Sequence, residues 1–294
     1  MQAHTNPTRV GRHSLLLAVT ALTLTLVCSL TVVNSAEASA DGPTLVSAVS
    51  GLLSRTNYRS VPVGANSDGY WNHHVSAPDR VQYVQDPLGQ RGTVQRIEVR
   101  PGDASSGGER AHVLNTSKLG GFQDGETIVM SWGLMIDSNF ASPSGTWNSF
   151  ALIHADGGGN QAVLNLALAG DQADLVLALV GGGDWIPEGQ PTGTVLEYFN
   201  LGPLPKNQWH DFGLAVRFGC TGSGYVQLWV DGQHLVDARD RKIGYCGDPG
   251  MYWKQGFYRS EYDKTTRLWF SDTYRWASLP DADNYYRSHL AAVR

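Results

Sequence analysis

Four short stretches of the chain carry side chains suited to acid–base work on an anion. Gly108-Glu109-Arg110-Ala111-His112-Val113 sets a guanidinium and an imidazole two residues apart, which on a β-strand is one face. Asn148-Ser149-Phe150-Ala151-Leu152-Ile153-His154 ends on a second imidazole, with Asn148 at the same parity. In Tyr252-Trp253-Lys254-Gln255-Gly256-Phe257-Tyr258-Arg259, alternation puts Tyr252, Lys254, Gly256 and Tyr258 on one face and Trp253, Gln255 and Phe257 on the other. Tyr70-Trp71-Asn72-His73-His74 is weaker, because a strand sends adjacent histidines to opposite faces. A guanidinium and an ammonium can hold a carboxylate, a neutral imidazole can take a proton near pH 7, and a phenol can return one. Each stretch alone also has a plain structural explanation, as half-buried packing or an exposed polar face. The glycine is the odd member, since Gly256 in mid-strand costs stability and marks close approach by a backbone or a ligand.

The remainder of the chain indicates what positions these stretches. Arg9 and Arg12 precede an almost wholly apolar run over 14–33, and Ala38-Ser39-Ala40 offers a small-residue cleavage site. Residues 1–40 therefore read as a signal peptide and 41–294 as one exported domain. An uncleaved membrane span is the alternative, because the run is long enough. The net charge is −5, and the chain stays acidic without its leader. Such a balance disfavours nucleic acid and anionic membrane as partners, so an anionic ligand needs a local cluster of cations. Of three cysteines, Cys28 lies in the leader, and Cys220 with Cys246 reads as one disulfide of an exported protein.

Thirty-four glycines and 13 prolines divide the chain into short alternating segments. Strands are expected near 80–85, 95–100, 110–114, 127–136, 147–154, 162–168, 175–180, 211–218, 225–230, 252–260 and 267–274. Asp231-Gly232 is a two-residue hairpin signal. Helical spacing is confined to 45–53 and 282–293. This pattern predicts an all-β sandwich of two stacked antiparallel sheets, with a polar, aromatic face of one curved sheet free to form a groove.

The 252–258 stretch resembles the Tyr-Phe-Lys-x-Gly-x-Tyr strand of jelly-roll polysaccharide lyases, the superfamily of alginate, glucuronan and heparin lyase I-like enzymes. Residues 84–87, 96–103, 209–212, 224–232 and 268–274 look like further counterparts in the same order. The resemblance implies a β-jelly-roll (concanavalin A-like) sandwich with a concave substrate groove. It implies that Lys254 and Tyr258 face the sugar, with Tyr258 donating or relaying a proton. Arg110 matches the arginine of an Arg-x-Glu-Leu pattern, and His154 matches the histidine of Gln-Ile-His. The chain departs at two positions, where His112 replaces the glutamate and Leu152 the glutamine. Asn148 or Gln161 is then expected to supply the missing amide.

The implied chemistry is β-elimination from a uronic acid. The proton next to the carboxylate is weakly acidic, and its removal leaves an enolate-like dianion that needs positive charge or hydrogen bonds. Arg110, assisted by Lys254, is the expected partner of that carboxylate. His112 or His154 suits the base, and Tyr258 the acid, although the phenol serves both roles in some members of the group. Tyr252, Trp229, Tyr225 and Trp269 are candidate stacking faces, with Arg259 or Arg96 reaching neighbouring carboxylates. The expected enzyme is a secreted, monomeric lyase acting on glucuronan or alginate rather than heparin, and a non-catalytic carbohydrate-binding module is the alternative. Hydrolysis is disfavoured because no Glu-x-Asp-x-x-Glu pair of carboxylates is present. The chemistry requires no cofactor. Structural calcium occurs in relatives, and Asp156, Asn160, Asp171 and Asp281 carry suitable oxygens, but their spacing defines no calcium loop.

Overall fold

A computed structural model describes residues 51–105, 107–115, 121–142, 148–156, 162–187 and 193–279. The leader and the helical pattern at 282–293 lie outside the described residues. In chain order the strands are β1 (Leu52–Arg55), β2 (Trp71–Val75), β3 (Val81–Gln85), β4 (Thr93–Val99), β5 (Ala104–Ser105) and β6 (Gly108–Asn115). They continue as β7 (Thr127–Ile136), β8 (Asn148–Ala155), β9 (Ala162–Ala169), β10 (Asp174–Asp184), β11 (Val195–Pro203) and β12 (Trp209–Arg217). The last are β13 (Gly219–Val230), β14 (Gln233–Cys246), β15 (Met251–Arg259), β16 (Thr266–Phe270) and β17 (Tyr274–Trp276).

Two sheets form, as the alternating pattern predicts. The first runs β3-β4-β16-β7-β12-β13-β14, with β17 and β1 extending the β16 edge of β7. The second runs β2-β6-β15-β8-β9-β10-β11, with β5 also paired to β6. Pairing is antiparallel except where the end of β14 leaves the first sheet and lies parallel to the end of β10, Gly181 opposite Gly244 and Asp184 opposite Cys246. β14 thus joins the two sheets along one edge. The Cys220–Cys246 disulfide forms there, between the start of β13 and the end of β14. Asp231 and Gly232, at φ of 54° and 78°, make the two-residue turn between β13 and β14, the positive-φ geometry that matches the twist of a hairpin.

The core lies between the sheets. Ile128, Met130, Trp132, Leu134 and Ile136 of β7 meet Phe150 and Ile153 of β8, Leu164 and Leu166 of β9, and Trp253 and Phe257 of β15. Trp132 packs edge-on against Trp253 with ring centroids 4.9 Å apart, and Phe150 meets Phe212 of β12 at 5.6 Å. A buried polar network reinforces this seam. Gln255 donates to Gln95 at 3.0 Å and to the Tyr58 hydroxyl at 3.3 Å, while its carbonyl accepts from Thr273 at 2.9 Å. Because these amides are buried, each lost partner would leave a desolvated polar group, so the network holds β15 in one register.

The close approach signalled by Gly256 is made by β6. At φ +139°, a Cβ there would lie 2.2 Å from the Ala111 carbonyl oxygen and 2.8 Å from the His112 Cα. Two local expectations change. Residues 52–55 are a strand rather than the end of a helix, because Leu52 pairs with Trp276 and joins the apolar cluster around it; tertiary packing overrides the local spacing. The strand expected over 267–274 breaks at Ser271-Asp272-Thr273, where Asp272 turns inward to accept from the Tyr58 amide at 2.8 Å and from Thr56 at 2.9 Å.

Gly256→Ala would combine overpacking with a φ that alanine resists, and is expected to cost about 3 kcal/mol or more. Thermal denaturation should show a melting temperature lower by about 6–12 °C. An unchanged melting temperature would mean that β6 and β15 are not so closely apposed.

Candidate active site

Strand register builds the site on the outward face of the second sheet. Across β6 and β15, Arg110 stands opposite Tyr258, His112 opposite Gly256, and Leu114 opposite Lys254. Across β15 and β8, Tyr252 stands opposite His154 and Lys254 opposite Leu152. Alternate residues Ala111, Val113, Trp253 and Phe257 point into the core. Arg110, His112, His154, Lys254, Tyr252 and Tyr258 are therefore brought to one face.

The rings and cations interlock. The Arg110 guanidinium lies 3.8 Å from the Tyr258 ring centroid. His112 meets Tyr258 edge to face with centroids 5.6 Å apart. His154 lies 5.6 Å from Tyr252, over which the Lys254 ammonium sits at 5.1 Å. His112 is 1 % exposed and neither of its ring nitrogens has a hydrogen-bond partner. His154 donates from Nδ1 to the Ala155 carbonyl at 2.7 Å, which in the neutral ring leaves the lone pair on Nε2.

Burial and mutual repulsion set the charges. Burial first, then Lys254, Arg110, His74 and His154, hold His112 well below the ordinary imidazole value. Burial and then Lys254 lower His154 to about 4, partly offset by the bond to Ala155. Burial and then Arg110 lower the Lys254 ammonium to about 8. Near neutral pH the face thus carries two cations beside neutral imidazoles, an arrangement that attracts an anion and leaves bases ready to accept a proton.

Six expected side chains lie elsewhere. Arg259 is fully buried, donating from Nε to Glu109 at 2.9 Å and from Nη1 to Thr266 at 2.7 Å. It anchors β15 to β6 and faces no groove. Asn148 leaves the His154 face because a bulge in the β8–β15 register puts it opposite Arg259, while Ser149 stands opposite Tyr258. The Asn148 amide is buried and donates to Ser142. Trp229 stacks on His234 at 4.5 Å on the outer face of the first sheet, where Tyr225 joins the same apolar cluster. Trp269 and Arg96 are also in the first sheet, paired with each other across β16 and β4. Alternation placed Trp229, Tyr225, Trp269 and Arg96 outward correctly, but nothing local assigned their strands to a sheet.

Two residues of the site were undervalued in the sequence. His74 pairs with His112 across β2 and β6 and its imidazole is lowered by burial, then by Arg110 and Lys254. His73 faces the other way, as adjacent strand residues must. Asn165 of β9 stands directly opposite Leu152, and its Oδ1 is buried without a hydrogen-bond partner. It brings an amide next to the position where Leu152 lacks one. Gln161 lies outside the described residues. A cavity of about 320 Å³ adjoins the cluster beyond Tyr252, lined by Asn115, Gln123, Asp156 and Gly250 among others.

Among the described residues no group of three or more His, Cys, Asp or Glu side chains could hold a metal ion. Asp171 accepts a backbone bond from Ser142 at 3.3 Å, and Asn160 and Asp281 lie outside the described residues. No helix among the described residues is long and apolar enough to cross a membrane.

The chain belongs to the polysaccharide lyase family, whose sequence profile matches residues 63–275. A search of curated proteins finds no match. Among solved structures, the endo-β-1,4-glucuronan lyase from the fungus Trichoderma reesei is similar with a TM-score of 0.58 at 16 % identity, over 76 % of this chain and 97 % of that one. Alginate lyase Aly36B is similar with a TM-score of 0.50 at 14 % identity, over 76 % and 96 %. A structure of botulinum neurotoxin type C, whose cell entry depends on interaction with two ganglioside molecules, matches with a TM-score of 0.51 at 11 % identity, over 82 % of this chain and 51 % of that one. At these identities the likenesses establish the jelly-roll fold alone.

A desolvated ammonium beside Arg110 should lose its proton early. In NMR of the reductively methylated protein, one lysine resonance is expected to titrate near pH 8 and to be missing from Lys254→Arg. Titration of every lysine near the ordinary 10.5 would contradict the geometry.

Proposed function

We propose that the chain is an exported, endo-acting lyase that cleaves a uronic-acid polysaccharide by β-elimination. The observation that carries this reading is the stack of Arg110, Tyr258 and His112 beside Lys254 on one sheet face. Arg110 and Lys254 receive the carboxylate of the sugar and stabilise the charge that develops on it when the neighbouring carbon loses its proton. His112 takes that proton. A carboxylate seated between the two cations offsets the repulsion that depresses His112, so substrate itself raises the basicity of the imidazole. Tyr258, which packs on His112 and is partly exposed, yields as the sugar seats and gives its phenolic proton to the departing glycosidic oxygen. The C–H and C–O bonds break, a carbon–carbon double bond forms, and the products are an unsaturated uronate and a new sugar hydroxyl. His154 and Tyr252, which face each other six residues from Tyr258 along β15, contact the adjoining sugar.

Two cations suit a polymer with one carboxylate per sugar better than a densely sulfated one, which favours glucuronan or alginate over heparin. The leader and the disulfide support export. A non-catalytic binding module is the second reading, favoured by Leu152 and by the buried position of His112.

Incubation with glucuronan, alginate and heparin-type polymers should raise the ultraviolet absorbance of a conjugated uronate, with product masses lower by one water than those of hydrolysis. Tyr258→Phe and His112→Ala are each expected to lower kcat by about 10²–10⁴, whereas His154→Ala should raise KM and spare most of kcat. Binding without any absorbance change would favour the binding module. Water gained in the products would exclude elimination.

A further inference from the structure

The cationic cluster occupies only part of its sheet. From Lys254 a continuous row of paired residues crosses to the far edge: Leu152 on β8, Asn165 on β9, Ala178 on β10 and Tyr198 on β11. At the usual strand spacing these four steps span about 19 Å. In the other direction the row reaches only Leu114 and Asn72 before β2 ends the register, about 10 Å away. The groove face is therefore lopsided, with the reactive cluster near one end.

The longer arm has a different chemistry. Leu164, Leu166, Leu175, Leu177 and Leu179 of β9 and β10 point into the core, and Phe199 and Leu201 of β11 pack against it. Alternation then leaves Asn165, Val176, Ala178, Tyr198 and Asn200 outward, with Asp174 at the start of β10 and no cation among them. The floor is small-sided, so a chain can lie flat on it. At its end Tyr198 is 63 % exposed, a large ring with little packing reason to be there. Midway, the Asn165 Oδ1 is buried without a hydrogen-bond partner among the described residues, and rotation of the amide as a sugar seats would offer it to a sugar hydroxyl.

We propose that the outward face of β9, β10 and β11 is a cation-free arm of the groove that seats further sugar units of the same polysaccharide, by ring stacking on Tyr198 and hydroxyl hydrogen bonding to Asn165. This rests on the lyase reading for the position of the cut. It assigns carboxylate recognition to the Arg110–Lys254 end alone, so a uronate is required there, while the arm accepts sugar rings irrespective of their charge.

Tyr198 is exposed enough for its replacement to leave the fold intact. Tyr198→Ala is expected to lower kcat/KM about fivefold on hexasaccharides and polymer, to leave trisaccharide cleavage unchanged, and to show the same ratio in 1 M salt. Tyr198→Phe should behave as wild type. Equal losses on short and long substrates, or none on either, would overturn the arm. Should wild type cleave no uronate polymer, retardation in polysaccharide affinity gels separates the two claims. Retardation that Tyr198→Ala loses would keep the arm while the lyase reading falls, and equal mobility of the two proteins would overturn the arm as well.

Discussion

The molecule depends on the close approach of β6 and β15 at Gly256. Only a residue without a side chain fits where the Ala111 carbonyl and the His112 Cα press against β15. This contact sets His112 opposite Gly256, and with it Arg110 opposite Tyr258 and Leu114 opposite Lys254. A slip of one residue would send the entire set into the core, because side chains alternate with a period of two. Beneath the contact, Gln255 is held by Gln95, Tyr58 and Thr273, and the buried Arg259–Glu109 pair fixes the end of the strand. Backbone fit, a polar network and a buried ion pair thus agree on one register.

That register has an electrostatic consequence. Arg110 and Lys254 share a face with His74, His112 and His154, and each imidazole is kept neutral by burial and by the nearby cations. Desolvation lowers the ammonium as well. The protein therefore keeps charges where they are costly, which is characteristic of sites that act on a charged ligand. In the proposed reaction an entering carboxylate would relieve the repulsion and restore proton affinity to the imidazoles, so that binding and base activation would be one event.

Much of this was legible from short-range pattern. Alternation in 252–258 separated Lys254 and Tyr258 from Trp253 and Phe257, and the same rule paired Arg110 with His112. The Asp231-Gly232 turn and the Cys220–Cys246 disulfide were also readable. What pattern could not reach was pairing between distant strands. Asn148 shares the parity of His154, yet a bulge turns it toward Arg259. Trp229 and Trp269 alternate outward as expected, but on the other sheet. Arg259 looked like a cation at the end of a binding strand, and its burial depends on Glu109, 150 residues earlier. His74 and Asn165 join the site only through register with His112 and Leu152. Much of β14 is exposed and lacks strict alternation, so no strand signal marked it.

The most direct measurement is a crystal structure of Tyr258→Phe soaked with a uronate tetrasaccharide. One carboxylate should lie about 3 Å from both the Arg110 guanidinium and the Lys254 ammonium, with its sugar over His112 and the chain continuing across β9 toward Tyr198. A saccharide bound on the first sheet, or one whose carboxylates all point away from Arg110 and Lys254, would contradict the account.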